Sequence, residues 1–211
     1  MPAKILSIQV GLPRTVNWHN QLVETGIFKS PVAGPVHLRF LNLDGDRQAD
    51  LTVHGGPDKA VYVYPSEHYP YWKSELPGVD LPWGAFGENV TSEGLAEDSV
   101  HVGDRFQIGT AEVVAVQPRM PCFKLGIKFG RDDMVKRFLH SMRLGFYLRV
   151  LKEGVVSAGD EIIPLHRDEN RVKTSDIVRL YLRQSADPTL LQRVLATPFL
   201  PEGWRDTFSP R

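Results

Sequence analysis

Residues 99–118, SVHVGDRFQIGTAEVVAVQP, decide the fold class. In SVHVGDRFQIG apolar and polar residues alternate, which sends successive side chains to opposite faces of a strand. Gly109 then interrupts the pattern before the apolar run TAEVVAVQ. The same grammar continues outward in both directions. KILSIQV, GPVHLRFL and AVYVYP upstream and FYLRVLKEG downstream are short β-type runs separated by Gly, Pro and Asn/Asp turns. From Lys4 to about Pro164 the chain therefore reads as a β-rich barrel. Two helical inserts are expected within it, each suited to covering a barrel end. One is PSEHYPYWKSEL with Ser66 as its cap; the other is RDDMVKRFLHSMR, where Met134, Phe138 and Met142 recur at i, i+4.

After Pro164 a polar stretch, HRDENRVKTS, leads into the amphipathic runs TSDIVRLYLRQ and DPTLLQRVLAT and a proline-rich ending. Thr174 or Ser175 is expected to cap the first helix. Asp187-Pro188 supplies a cap and a first-turn proline for the second. The expected organisation is a mainly β (α+β) barrel-like domain over residues 1–165 and a small three-helix appendage over 166–211. Ile177, Leu180, Leu190, Leu191, Val194 and Trp204 would pack against the barrel or against a second subunit of a homodimer.

The 211 residues are 42% hydrophobic and 24% charged, an ordinary globular composition, and 25 basic residues balance 25 acidic ones. A neutral chain lacks the long-range field of a non-specific nucleic-acid or anionic-membrane binder, so any anion site must be local. No apolar run approaches the roughly 20 residues that span a bilayer. The start, MPAKILSIQV, lacks the apolar core of a signal peptide, and a cytoplasmic location is expected. One cysteine, Cys122, excludes an internal disulfide and every zinc site that needs two thiolates. The seven histidines show no HxxxH or facial-triad spacing.

Four segments could carry chemistry. In QPRMPCFKLG, Pro118 and Pro121 force extended backbone around Arg119 and the residue before Cys122, so a strand end runs into a rigid loop. Cys122 reads either as a small buried hydrophobe or as a reactive thiolate favoured by Arg119 and Lys124, and Arg119 as a solvated charge or a fork for an oxyanion. In TVHGGPDKAVYVYP, Gly55-Gly56 let backbone approach a ligand, and His54, Asp58 and Lys59 offer acid, base or phosphate contacts; the alternative is a plain turn between strands. LPWGAFGENVTSEG presents Glu88, Asn89 and Thr91 at a strand entrance, or simply a hydrogen-bonded turn. TGIFKSPVAGPV places Lys29 in a loop bounded by Pro and Gly.

Taken in order, GIFKSPV, LDGDRQADLTVHGGPDKAVYVYP, GAFGENVT and QPRMPCFKLG, followed by the helical tail, closely resemble the MOSC superfamily and its YiiM-like group of N-hydroxylaminopurine resistance proteins. The resemblance covers nearly the whole chain. It implies a MOSC β-barrel-like fold and a molybdenum cofactor (molybdopterin) with Cys122 as the protein ligand to the metal. Lys29, Arg119 and Cys122 would form the central catalytic cluster, with His54, Asp58, Lys59, Glu88 and Asn89 lining or bracing the cofactor pocket. A soft thiolate suits molybdenum, and cations offset the charge of the pterin phosphate. The implied reaction is reduction of N-hydroxylated small molecules, such as 6-N-hydroxylaminopurine, to amines. Iron–sulfur clusters need several cysteines, and no flavin or nicotinamide fingerprint is present, so a separate flavoprotein reductase is the expected electron donor.

Three other readings compete. A molybdenum-cofactor carrier, or a sulfur relay through a Cys122 persulfide, would use the same loop. Pyridoxal phosphate on Lys59 or Lys29 is disfavoured because no aminotransferase-like segment is present. Nucleic-acid binding by the tail is opposed by Asp168, Glu169, Asp176, Asp187, Glu202 and Asp206.

Overall fold

The computed structural model describes residues 2–51 and 54–209. Thr52 and Val53, which open the HGG motif, and the last two residues of the tail lie outside the described residues. Among the described residues the chain forms twelve strands and six α-helices. The first half carries β1 (Lys4–Val10), β2 (Arg14–Trp18), β3 (Gln21–Thr25), β4 (Ser30–Pro31), β5 (Val36–Leu38), β6 (Val61–Pro65), α1 (Tyr69–Glu75) and β7 (Val90–Glu93). The second carries β8 (Arg105–Ile108), β9 (Ala111–Pro118), α2 (Phe123–Phe129), α3 (Met134–Ser141), β10 (Phe146–Lys152), β11 (Gly154–Val156), β12 (Ile162–His166), α4 (Thr174–Tyr181), α5 (Pro188–Ala196) and α6 (Glu202–Phe208).

Eight strands form one curled sheet in the order β12-β8-β9-β10-β6-β7-β1-β4. Its pairings are antiparallel except β6 with β7, whose parallel alignment is made by the crossover through α1. The curl brings β1 back toward β12. Ile162 N–H donates to Ala3 at 2.7 Å and Ile5 N–H to Asp160 at 2.9 Å, which covers an edge that would otherwise be open. The fold is thus mainly β, barrel-like, with helices added.

β6 shows how alternation partitions the interior. Val61 and Val63 enter the barrel core with Ile5, Ile8, Val113 and Phe146. Tyr62 and Tyr64 face the other way, into an aromatic core with Trp72, Phe86, Leu125 and Phe138 supplied by α1, α2, α3 and the GAFG loop. Both faces of β6 are covered, so all five of its residues are buried. A third cluster, Val102, Val172, Ile177, Leu190, Val194, Leu200 and Trp204, seals the tail to the barrel, where α4 lies against β9. Of the tail residues expected to dock, Leu180 lies at its margin and Leu191 is half-buried outside it.

Several local expectations are corrected. SVHVGDRFQIG is strand only over Arg105–Ile108. At Gly103 (φ +96) a Cβ would meet the Asp168 side chain at 2.6 Å, so the chain turns there and Asp104 binds the His101 N–H at 3.0 Å. Ser66 begins a 3₁₀ turn, and the residue before α1 is His68. α4 is preceded by Lys173, whose N–H is bound by the Asp176 carboxylate at 3.1 Å, while the Thr174 hydroxyl donates to the Glu97 carbonyl at 3.1 Å; neither Thr174 nor Ser175 is the cap. Met142 ends α3 in a left-handed conformation (φ 57) rather than extending its apolar stripe. The loop after Cys122 is helical from Phe123. Residues 14–25 form a hairpin that the β-run pattern missed, turning through His19 (φ 50) and Asn20 (φ 61). The Asp187 cap is present, accepting from Thr189 N–H at 2.8 Å.

Candidate functional site

The site is built where β9 ends. The ladder to β10 reaches Pro118, and Arg119 N–H adds one further bond to the Gly145 carbonyl at 3.1 Å. Met120 and Pro121 then carry the chain to Cys122, which precedes α2 in extended conformation and accepts the Leu125 N–H at 2.9 Å. The thiol is half-buried. It lines a solvent-open cleft of about 570 Å³ together with Lys29, His54, Lys59, Arg119 and Lys124.

Arg119 is buried, and its Nη1 has no hydrogen-bond partner. Its guanidinium lies 5.3 Å from the Tyr62 ring centre and 5.2 Å from that of Phe138, so aromatic faces support the cation where a carboxylate would normally stand. Lys29 is engaged differently. Its ammonium is paired with Asp46, and burial pulls its pKa below the usual lysine range although Asp46 opposes the shift. Asp46 also accepts Gly11 N–H at 2.9 Å and, on its other oxygen, Asn89 Nδ2 at 2.8 Å. Lys29 therefore reaches the cleft as half of a buried, hydrogen-bonded ion pair.

His54 Nδ1 is buried and unpartnered. Burial, then Lys124 and Lys59, push its pKa down to about 4, so it stands neutral at pH 7. Burial also lowers Lys59, against the opposing pull of Asp58 and Cys122.

The sequence-expected residues thus divide. Lys29, His54, Lys59, Asn89, Arg119 and Cys122 converge on one cleft, whereas Asp58 and Glu88 do not line it. Asp58 is turned to Arg149, whose Nε donates at 2.6 Å. Glu88 is sealed within its own loop, accepting Gly84 N–H (2.8 Å), Phe86 N–H (3.0 Å), the Thr91 hydroxyl (3.1 Å) and the Tyr69 hydroxyl. It braces the loop that packs on Ile27, since a Cβ at Gly87 (φ +82) would meet Ile27 at 2.7 Å.

Asp46, Arg47, Tyr62 and Tyr147 line the cleft and were not singled out from the sequence. Glu97 was also missed. Its carboxylate binds Gly145 N–H and His68, and its carbonyl holds the start of α4. No motif marks any of them; a charge at Asp46 or Glu97 is informative only once it is known to be buried.

Five cations (Lys29, Arg47, Lys59, Arg119, Lys124) and one carboxylate (Asp46) line the cleft of a chain whose total charge is zero. That concentration, with two buried unpartnered nitrogens, selects a polyanionic ligand. The thiol beside them is the donor type that suits a soft metal. Among the described residues no three His, Cys, Asp or Glu side chains cluster as an ordinary metal site, so a metal here would depend on ligands brought with it. Also among the described residues, no helix is long and apolar enough to cross a membrane.

The chain matches the MOSC domain over residues 50–163 and the YiiM-like, 3-alpha helix domain over residues 175–211. It is 43% identical to the uncharacterized protein YflK of Bacillus subtilis, covering 97% of this chain and 92% of that one. The crystal structure of YiiM from Geobacillus stearothermophilus superposes with a TM-score of 0.82 at 37% identity, covering 98% of this chain and 97% of that chain. A protein from Gibberella moniliformis named "Reductase" is 32% identical over 83% of this chain, which spans only 32% of that longer protein. With both of its parts matched in order, the chain belongs to the MOSC-domain family, in the YiiM-like branch.

Proposed function

We propose that this protein is a molybdenum-cofactor-dependent oxidoreductase that reduces N-hydroxylated compounds, such as 6-N-hydroxylaminopurine, to amines in the cytoplasm. The observation that carries the reading is the cation-lined cleft converging on a single thiol, with the Arg119 guanidinium buried and incompletely bonded. Cys122 Sγ is the proposed metal ligand. Arg119 Nη1, His54, Lys59 and Lys124 are the groups proposed to meet the pterin phosphate and oxo anions. MOSC domains are generally associated with molybdenum cofactor, and the Gibberella relative's name supports a reductive activity.

When bound, that group supplies two-electron oxygen-atom chemistry that no amino-acid side chain performs. The chain's own contribution is binding and charge. Arg119 remains charged at every physiological pH and favours negative charge beside Cys122. Lys59 Nζ, its pKa lowered by burial, gives up a proton more readily than a surface lysine and is the proposed donor to the departing hydroxyl. Neutral His54 contributes a hydrogen bond without adding charge. Conversion of N–OH to N–H with release of water consumes two electrons and two protons, and the electrons are proposed to come from a separate flavoprotein reductase.

Molybdenum and pterin content of wild type and Cys122→Ala, purified anaerobically from a cofactor-competent host, tests the proposal. Near-stoichiometric molybdenum lost in the variant, with turnover of an N-hydroxylated substrate on an artificial donor, is expected. Molybdenum absent from wild type would transfer the reading to a sulfur relay on Cys122.

A further inference from the structure

A second groove, enclosing about 1080 Å³ open to solvent, runs between the helical tail and the loop that leads to Cys122. Its walls are Met120, Pro121, Leu139, Tyr181 and Trp204, with Gln117 at one side. Lys59 lines both this groove and the cation-rich cleft, and Met120-Pro121 of the groove immediately precede Cys122 of the cleft, so the two spaces share Lys59 and are neighbours in the loop that carries the thiol. Their chemistry differs. The cleft is cationic and suits a polyanion; the groove joins an aromatic and apolar wall to the polar residues Asp58, Lys59, Gln117 and Thr207 and suits a flat body with polar edges.

The aromatic wall is held in place before any ligand arrives. Trp204 Nε1 donates to Gln117 Oε1 at 2.9 Å, and Gln117 Nε2 donates to the Asp58 carbonyl at 2.8 Å, which occupies both ends of the amide. The Trp204 ring meets Tyr181 edge-to-face at 5.8 Å and stacks on Phe208 at 5.6 Å. Tyr181, at the end of α4, is 47% exposed, so a large aromatic surface is left uncovered on a fixed support. Met120 and Leu139 are half-buried, and methionine adapts to irregular ligands.

We infer that this groove holds the planar heteroaromatic body of the substrate while its N-hydroxyl end reaches the cleft, which makes the helical tail a specificity element. The inference rests on the reductase reading and adds where the substrate lies and what selects it. The wall shared with the cleft at Lys59, and the loop that runs from Met120-Pro121 in the groove to Cys122 in the cleft, are the reason for choosing a substrate over any other occupant.

Gly203 provides a clean test. It lines the groove on α6, and a Cβ built there meets nothing within 4 Å, so Gly203→Leu adds a side chain at the groove from a position that has room for its first atom. Leucine is also the better helix former, so folding is preserved and is checked by the melting temperature. The first readout is equilibrium titration with 2-aminopurine, whose fluorescence falls on stacking. Saturable quenching by wild type and at least tenfold weaker binding by Gly203→Leu are expected; equal binding, or none by wild type, overturns the inference. The second is the ratio of kcat/KM for an N-hydroxylated purine to that for hydroxylamine, in cofactor-loaded protein. The ratio should fall at least tenfold in Gly203→Leu and also in Tyr181→Ala; an unchanged ratio overturns the inference. If loaded wild type reduces neither compound, the reductase reading fails, and the titration alone still decides whether the groove binds planar heteroaromatics.

Discussion

Replacing Glu88 by glutamine converts one carboxylate oxygen into a donor where every neighbour is already a donor. Four groups converge on Glu88: three on Oε1, namely Gly84 N–H, the Thr91 hydroxyl and the Tyr69 hydroxyl, and Phe86 N–H on Oε2. In its best orientation the introduced amide keeps its oxygen under the first three and turns its NH₂ toward Phe86 N–H. One buried backbone donor then loses its acceptor, and the amide buries N–H groups of its own; at about 1–3 kcal/mol for each such group, the loss is roughly 2–4 kcal/mol. For a chain of 211 residues, where 1 kcal/mol moves the melting temperature by about 2–4 °C, the expected drop is roughly 5–15 °C. Glu88→Ala should lose more, because all four donors are abandoned. The assay is thermal and urea unfolding followed by circular dichroism, with molybdenum content measured on the folded protein. Because Glu88 does not line the cleft, folded Glu88→Gln should keep its metal. A melting temperature within about 2 °C of wild type, less than the shift expected from 1 kcal/mol, or metal loss without destabilisation, would refute the assignment of Glu88 as a brace.

Other perturbations separate stability from binding. Lys29→Ala strands the buried Asp46 carboxylate and should cost about 3–5 kcal/mol in urea unfolding; a cost under about 1 kcal/mol would contradict the buried pair. Arg119→Met should abolish cofactor retention in a protein that still folds, because the guanidinium rests on aromatic faces and its loss strands no buried carboxylate; molybdenum kept by the folded variant would show otherwise. His54 has a folded pKa of about 4, below its unfolded value, so between about pH 6.5 and 4 the unfolded chain binds the extra proton and stability falls as pH falls. Stability curves against pH should be shallower over that window in His54→Gln, and identical slopes would remove His54 from this account.

Much of the fold is legible because it depends on local regularities. Alternation in VYVYP predicts a strand with two dissimilar faces, and Asp187-Pro188 predicts a helix start from bonds that span two residues. The tail's apolar stripes announce that α4 and α5 must be covered. The central site residues are legible for another reason. A lone cysteine between two cations, just after a pair of prolines, is chemically unusual wherever it is placed, and Gly-bounded loops mark close backbone approach. Some expectations fail because the deciding partner is distant in sequence. The turn at His101–Asp104 admits only glycine at 103, because its φ is positive and Asp168, 65 positions onward, occupies the space a Cβ would need. Asp58 leaves the cleft because Arg149, 91 residues away, draws it off, whereas Glu88 braces rather than lines it, held by donors close by in sequence, Gly84, Phe86 and Thr91.

Residue chemistry and period, readable along the chain, settle that a β-rich barrel is followed by a helical tail, that a thiol and several cations belong to one kind of site, and that the amphipathic tail must dock. Which cations remain open to a ligand there is a property of the folded molecule. Lys29 is spoken for by Asp46, 17 residues away, and Arg119 by no carboxylate at all, and that difference arises only when β9, β10 and the intervening loops are brought together. The groove beside the thiol likewise exists only because Trp204 reaches Gln117 across 87 residues. Charge and hydrogen bonding act over a few ångströms, and the chain's order does not say which of its distant parts will come that close.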